Sequence, residues 1–211
     1  DQANAQIASF YPGAMAKASE LSFKEIDPIP DMAVISPNDP QAMIEYVREC
    51  SELGIPYIYD PSQQIVRLSP EELRAGILGA ASLFSNDYEF GLIEEKTGLT
   101  REEILENTEF IVITRGENGA DLFTAEGQIH VPAVLPERIT DPTGIGDAFR
   151  GGFLKGYLNE LPLLRCAEMG VMAATFCIEA DGPQSHSFTL DGFIERYRQN
   201  FDDSGELDRL R

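Results

Sequence analysis

The stretch "DPTGIGDAF", residues 141–149, places a proline, two glycines and two aspartates immediately before an apolar run with helical spacing. Gly144 and Gly146 let the backbone N–H groups of this loop converge on one point. The helix that the spacing predicts from about Asp147 adds the positive end of its dipole at the same place. Such a loop is suited to an oxyanion. Asp147 cannot itself be a ligand for phosphate, because two anions repel. A carboxylate there makes chemical sense as a base that takes a proton from an attacking hydroxyl. The blander reading of the same residues is a tight turn, with Asp147 capping a helix.

The chain on either side supplies the layers around this loop. Downstream, Phe149, Phe153, Tyr157 and Leu158 form a helical stripe, Pro162 opens a second helix running to about Cys177, and Thr189 caps a last helix carrying Phe193, Ile194 and Tyr197. Upstream, "EFIVITRG" (109–116) is a strand, and "GADLFTAEGQIHVPAV" alternates around Glu126 and Gly127 as a hairpin does. Earlier still, strands at "MAVISP" (32–37), "PYIYD" (56–60) and "SLFSN" (82–86) alternate with helices. The helix after the first strand stops at Gly54; the next starts at Ser69, Pro70 and Glu72. A third runs from about Tyr88 to Lys96, and a fourth is capped by Thr100 with Glu103. The expected fold class is α/β, layered around a largely parallel central sheet, in one domain. In such sheets ligands collect at the carboxyl ends of strands, where "DPTGIGDAF" is expected to lie. "IASFYPGAM" reads as a strand and turn with no helix of its own, a small β appendage, and the polar tail "DDSGELDRLR" reads as frayed.

The chain of 211 residues carries 16 basic against 36 acidic residues, a formal charge of -20. That balance repels nucleic acid and anionic lipid, so partners of either kind are not expected. It does not exclude a nucleotide, since backbone N–H groups, a helix N-terminus and Mg²⁺ can hold phosphate without a basic surface. Cys50, Cys166 and Cys177 are widely separated, without CxxC spacing, so neither a disulfide framework nor a zinc site is expected and a reducing cytoplasm fits. No apolar run reaches the roughly 18 residues of a membrane span, and the first residues lack the layout of a signal peptide. Neither a Walker A motif nor the protein-kinase signatures HRD and DFG occur.

The loop closely resembles the DTTGAGD signature of the ribokinase-like carbohydrate and nucleoside kinases, the PfkB family, with proline for the first threonine and isoleucine for the alanine. "NDYE" (86–89) resembles that family's NxxE element, "TRGENGA" (114–120) its TxGxxG stretch, and "GVMAATFCIEADGPQ" (170–184) the wall of its adenine pocket. Read by themselves, these three stretches are respectively a capped helix start, a hairpin turn, and a helix with its exit loop. The resemblance implies a ribokinase-like α/β/α fold and ATP with Mg²⁺ as cofactors. It makes Asp147 the base and the N–H groups of Gly144, Ile145 and Gly146 the anion hole. Asn86 and Glu89 would organise Mg²⁺, and Thr114, Gly116, Gly119, Val171, Ala174 and Gly182 would line the nucleotide. Val171 stands where the family often has a polar residue. Carbonyls of this last loop and of the Asp141 loop could hold a monovalent cation such as K⁺.

Within the family, "QIASFYPGAM" (6–15), "SPNDPQAM" and "DPSQQIVRL" (60–68) resemble bacterial adenosine kinases of the actinobacterial type. That resemblance implies that Phe10 and Met15 contact a purine, and that Gln63 and Gln64 make polar contacts around base or ribose, as an aromatic face and amides can. The function it implies is phosphorylation of the adenosine 5'-hydroxyl by ATP, a purine-salvage reaction. Alternatives are a sugar kinase of the same family acting on ribose or a related sugar, a non-catalytic nucleotide-binding module, or a structural domain. Residues 1–20 are expected to be the remnant of a β lid and its return to the core, with 21–211 the nucleotide-binding and catalytic domain. A segment bearing the family's ribose-gripping residues is expected ahead of residue 1. The lid strand could also pair two copies into a homodimer.

Overall fold

The computed structural model describes residues 11–211. Two compact units make up the chain, one ending at Glu109 and the other spanning Phe110–Arg211.

In the first unit, β1 (Ala33–Ile35), β2 (Tyr57–Tyr59) and β3 (Ser82–Asn86) run parallel, with Val34 opposite Ile58 and Ile58 opposite Ser82. Parallel neighbours need crossover connections, and helices supply them. Helix α1 (Pro40–Leu53) begins where the Asp39 side chain accepts from the N–H groups of Gln41 and Ala42, and ends at Gly54 in the left-handed region. Helix α2 (Pro70–Leu78) is opened by the reciprocal box of Ser69 and Glu72. Helices α3 (Asp87–Thr97) and α4 (Arg101–Leu105) start with the same device, from Asn86 and Thr100. Met43, Cys50, Ile58, Leu73, Ile77 and Leu83 are buried between strands and helices, each large aliphatic side chain contributing roughly 1.5–3 kcal/mol.

The strand half of "IASFYPGAM" lies outside the described residues. Its second half does not stay a turn: Gly13–Glu20 form a 3₁₀ helix, followed by a second at Phe23–Glu25. This entry segment is tied to α1 by the buried Glu49, which accepts from the Ser22 hydroxyl (2.7 Å) and the Phe23 N–H (2.8 Å).

The second unit opens with an antiparallel meander of β4 (Phe110–Thr114), β5 (Ala120–Thr124) and β6 (Gly127–Val131), so that parallel strands belong to the first unit and antiparallel ones to the second. Helices α5 (Ile145–Tyr157), α6 (Leu163–Ile178) and α7 (Leu190–Arg198) follow. Helix α5 approaches α6 closely because Gly152 has no side chain: a Cβ there would lie 2.5 Å from the Met169 carbonyl oxygen. Phe149 and Phe153 are buried on this face, and Phe153 packs on Phe110 at 5.4 Å between ring centroids.

Two expectations are corrected here. Leu158 does not belong to the buried stripe; it is the C-cap of α5, where the helix has ended, and it is exposed. The tail is docked rather than frayed. Asp203 takes a two-pronged bond from Arg198 at 3.0 Å and accepts the N–H groups of Gly205 and Leu207, and the 3₁₀ helix Glu206–Leu210 buries Leu207 and Leu210. A polar sequence hid two apolar anchors spaced on one side of a short helix.

Candidate active site

The loop of residues 141–146 is built around Asp141 and Gly144. Asp141 Oδ1 accepts the Thr143 N–H at 2.8 Å, and Oδ2 accepts the Gly182 N–H at 3.1 Å, tying the loop to the turn that follows α6. The bonds from Thr143 first, then that from Gly182, hold the Asp141 carboxyl below its usual range. Both oxygens thus serve loop closure. Gly144 is the N-cap of α5 with φ 83°, a region where a side chain is strained, and a Cβ on it would lie 2.5 Å from the Pro183 side chain. The first α5 amide with a helical acceptor is Ala148, onto the Gly144 carbonyl at 2.9 Å. The N–H groups of Ile145, Gly146 and Asp147 come before it and have no acceptor inside the helix. A Cβ on Gly146 would meet open space. Together these features form an uncovered helix start able to receive an anion.

Asp147 lies in the first turn, with its side chain 75% exposed and bonded to Arg150 one turn on. Exposure allows a hydroxyl to approach the carboxylate, which is the access a base requires. Cys177, below the loop, has its thiol pushed up by burial and by the charges of Asp141 and Asp147.

In the same unit, Thr114 ends β4 and pairs with Ala120, while the Arg115 N–H bonds the Gly119 carbonyl at 2.8 Å. "TRGENGA" is therefore a hairpin connection, closed by a 3₁₀ turn at Gly116–Asn118. That conformation does not compete with a phosphate role. Val171 is buried in α6 and Ala174 half-buried, so neither offers a polar group to a base.

In the first unit, Asn86 and Glu89 cap α3 reciprocally: Asn86 Oδ1 accepts the Glu89 N–H at 2.8 Å, and Glu89 Oε2 accepts the Asn86 N–H at 2.9 Å. Glu89 Oε1 accepts the Ser62 hydroxyl at 2.8 Å, which brings the 3₁₀ helix Ser62–Val66, and with it Gln63 and Gln64, beside the start of α3. Gln63 is exposed. Gln64 is buried, and its side-chain carbonyl oxygen has no hydrogen-bond partner among the described residues. Met15 is half-buried in the entry helix, and Phe10 lies outside the described residues. Among the described residues no three His, Cys, Asp or Glu side chains cluster as a metal site would require. The oxygens of Asn86 and Glu89 still suit Mg²⁺ held through water, since each keeps lone pairs beyond its capping bond.

Sequence reasoning missed Ser62, whose φ of 38° is unusual for a residue with a side chain, and the pair of Arg115 with Asp121 on β5. A carboxylate inside the apolar run "ADLFT" was the available signal for the second; for Ser62 there was none.

Comparison with known proteins defines the class. The model of the pfkB family carbohydrate kinases matches residues 1–189. The nucleoside kinase of Burkholderia thailandensis, solved with inosine, superposes with a TM-score of 0.90 at 34% identity, covering 94% of this chain and 65% of that one. The same enzyme has been solved with ADP-inosine. The nucleoside kinase of Methanocaldococcus jannaschii is 28% identical over 200 residues, 95% of this chain and 65% of its own. Its structure, described as an archaeal member of the ribokinase family, superposes with a TM-score of 0.86 over 94% of this chain and 66% of that one. A cytidine kinase of Thermococcus kodakarensis is 30% identical over 146 residues, 66% of this chain and 52% of its own.

The chain therefore has the ribokinase-like α/β fold, and it belongs to the pfkB family of carbohydrate kinases. It spans 65% of the length of the first two relatives. The first two relatives are nucleoside kinases, which supports the family resemblance at the level of nucleoside and carbohydrate kinases.

Proposed function

We propose that the protein transfers the γ-phosphoryl group of ATP to the 5'-hydroxyl of a purine nucleoside, adenosine first among them. The observation that carries this reading is the loop at the start of α5, where amides without helical acceptors stand one residue from an accessible carboxylate. In the reaction, Asp147 takes the proton as the acceptor oxygen bonds to phosphorus, and the bond to the departing ADP oxygen breaks. The N–H groups of Gly144, Ile145 and Gly146 meet the charge on the transferring group, which fixed donors stabilise without reorganising. Asn86 and Glu89 would hold Mg²⁺ through water, and the ion, when bound, would neutralise phosphate charge. Thr114, Gly116, Gly119 and Gly182 shape the nucleotide side, with Val171 and Ala174 as apolar packing. Gln63, Gln64, Met15 and Phe10 serve the acceptor. The buried carbonyl oxygen of Gln64, without a partner among the described residues, supports that assignment, because a donor on the ligand would satisfy it.

A sugar acceptor is the second reading, favoured by the carbohydrate kinases that define the family. ADP release from Mg·ATP with adenosine, inosine, cytidine, ribose or no acceptor separates the two. Nucleoside-dependent release that falls roughly 10²-fold or more in Asp147→Asn is the expected result. Ribose-dependent release alone would replace the nucleoside, and undiminished turnover in the variant would remove Asp147 as the base.

A further inference from the structure

Strand β5 carries a carboxylate among apolar neighbours: Asp121 lies between Ala120 and Leu122, and all three are buried. A carboxylate buried on a strand is costly unless it is paired and hydrogen-bonded. Both Asp121 oxygens are paired. Oδ2 lies 2.5 Å from Arg115 Nε, and Oδ1 lies 2.7 Å from His130 Nδ1. The register explains why these three meet. Asp121 stands opposite Ile113 on β4 and His130 on β6, and Arg115 directly follows the last residue of β4, its N–H bonded to the Gly119 carbonyl two residues before Asp121. Burial works against ionisation of Asp121, but bonds from His130 and Gln128 and the charge of Arg115 outweigh it, and the carboxyl is held below its usual range.

The outcome is an arginine that is anchored and still exposed. Nε is taken by Asp121, and the side chain is 41% exposed. Arg115 stands between Thr114 and Gly116 in the hairpin connection. In a chain with 16 basic against 36 acidic residues, few cations are available to a triphosphate.

We propose that Arg115 contacts the phosphates of the nucleotide through its Nη edge, and that Asp121 is the positioning residue that holds it there. A guanidinium is suited to this because its planar fork gives paired N–H bonds to phosphate oxygens while a third donor is engaged elsewhere. The inference rests on the kinase reading above.

Calorimetric titration of the full chain with Mg·ATP and with Mg·ADP tests it in Arg115→Ala, Arg115→Lys, Asp121→Asn and the Arg115→Ala/Asp121→Asn pair. Arg115→Ala weakens both nucleotides about tenfold, the scale of a lost charge-assisted bond, while the KM for the nucleoside stays as in the unsubstituted chain; the melting temperature falls, because buried Asp121 loses one of its two partners. Arg115→Lys recovers only part of the loss. Asp121→Asn weakens nucleotide binding in the same direction, and in the double variant it adds nothing to the loss caused by Arg115→Ala alone. Unchanged nucleotide affinity in Arg115→Ala overturns the proposal, as does a loss that falls equally on the nucleoside KM. The two Arg115 variants decide the matter even if Asp121→Asn does not fold. An unsubstituted chain that binds no nucleotide overturns the kinase reading and this inference together, whereas unchanged Arg115→Ala in a chain that binds ATP removes this inference alone.

Discussion

Gly144 answers two demands at once, a left-handed backbone at φ 83° and contact with Pro183 that leaves no room for a Cβ. Gly144→Ala is therefore expected to lower stability by about 1–3 kcal/mol and to weaken nucleotide binding, read by urea denaturation and by titration with Mg·ATP. An alanine variant of unchanged stability and affinity would show that the loop relaxes without consequence. Asn86 has two readings that substitution can separate. Asn86→Ala should cost about 1 kcal/mol through the lost cap of α3, while Asn86→Ser keeps a capping oxygen and restores most of that stability. A raised Mg²⁺ requirement for turnover that persists in Asn86→Ser is the expected sign of the metal role; a normal requirement in both variants leaves Asn86 as a cap alone.

Between elements, the close approach of α5 and α6 decides how rigidly the anion loop is carried. The Gly152 position touches the Met169 backbone, which cannot move as a flexible side chain can, so Gly152→Val should cost about 2 kcal/mol by overpacking. Thermal melting checks this, and an unchanged midpoint would mean that the helix pair separates freely. The docked tail gives a pH dependence with a definite sign. Bonds from Arg198, followed by backbone N–H groups, hold the Asp203 carboxyl well below the usual carboxylate range. Asp203 thus contributes stability that is fully present above about pH 4 and is lost as the pH falls through its lowered folded value. Replacing it with asparagine should flatten that acid limb, as followed by urea denaturation between pH 5 and pH 2; a limb of the same depth in the variant would place the sensitivity elsewhere.

Taken whole, the molecule is strongly anionic, at -20. Self-repulsion among so many carboxylates destabilises the folded state, and salt screens it, the Debye length falling from about 10 Å at 0.1 M to about 3 Å at 1 M. The melting temperature is expected to rise between these salt concentrations, and a fall would show that the ion pairs outweigh the repulsion. What the sequence by itself determined was local. The strands from Ala33 to Thr114, the capping boxes at Ser69, Asn86 and Thr100, and the glycine loop before Asp147 all depend on residues a few positions apart, so spacing alone reveals them. Tertiary structure decided what joins distant positions: the bond of Asp141 to Gly182 across 41 residues, that of Ser62 to Glu89 across 27, and the meeting of Arg115, Asp121 and His130 on one sheet face. It also decided that Leu158 faces solvent while Leu207 in a polar tail is buried. Periodicity reports which side of an element is apolar, but only packing selects which partner that side, or a lone charge within it, will meet.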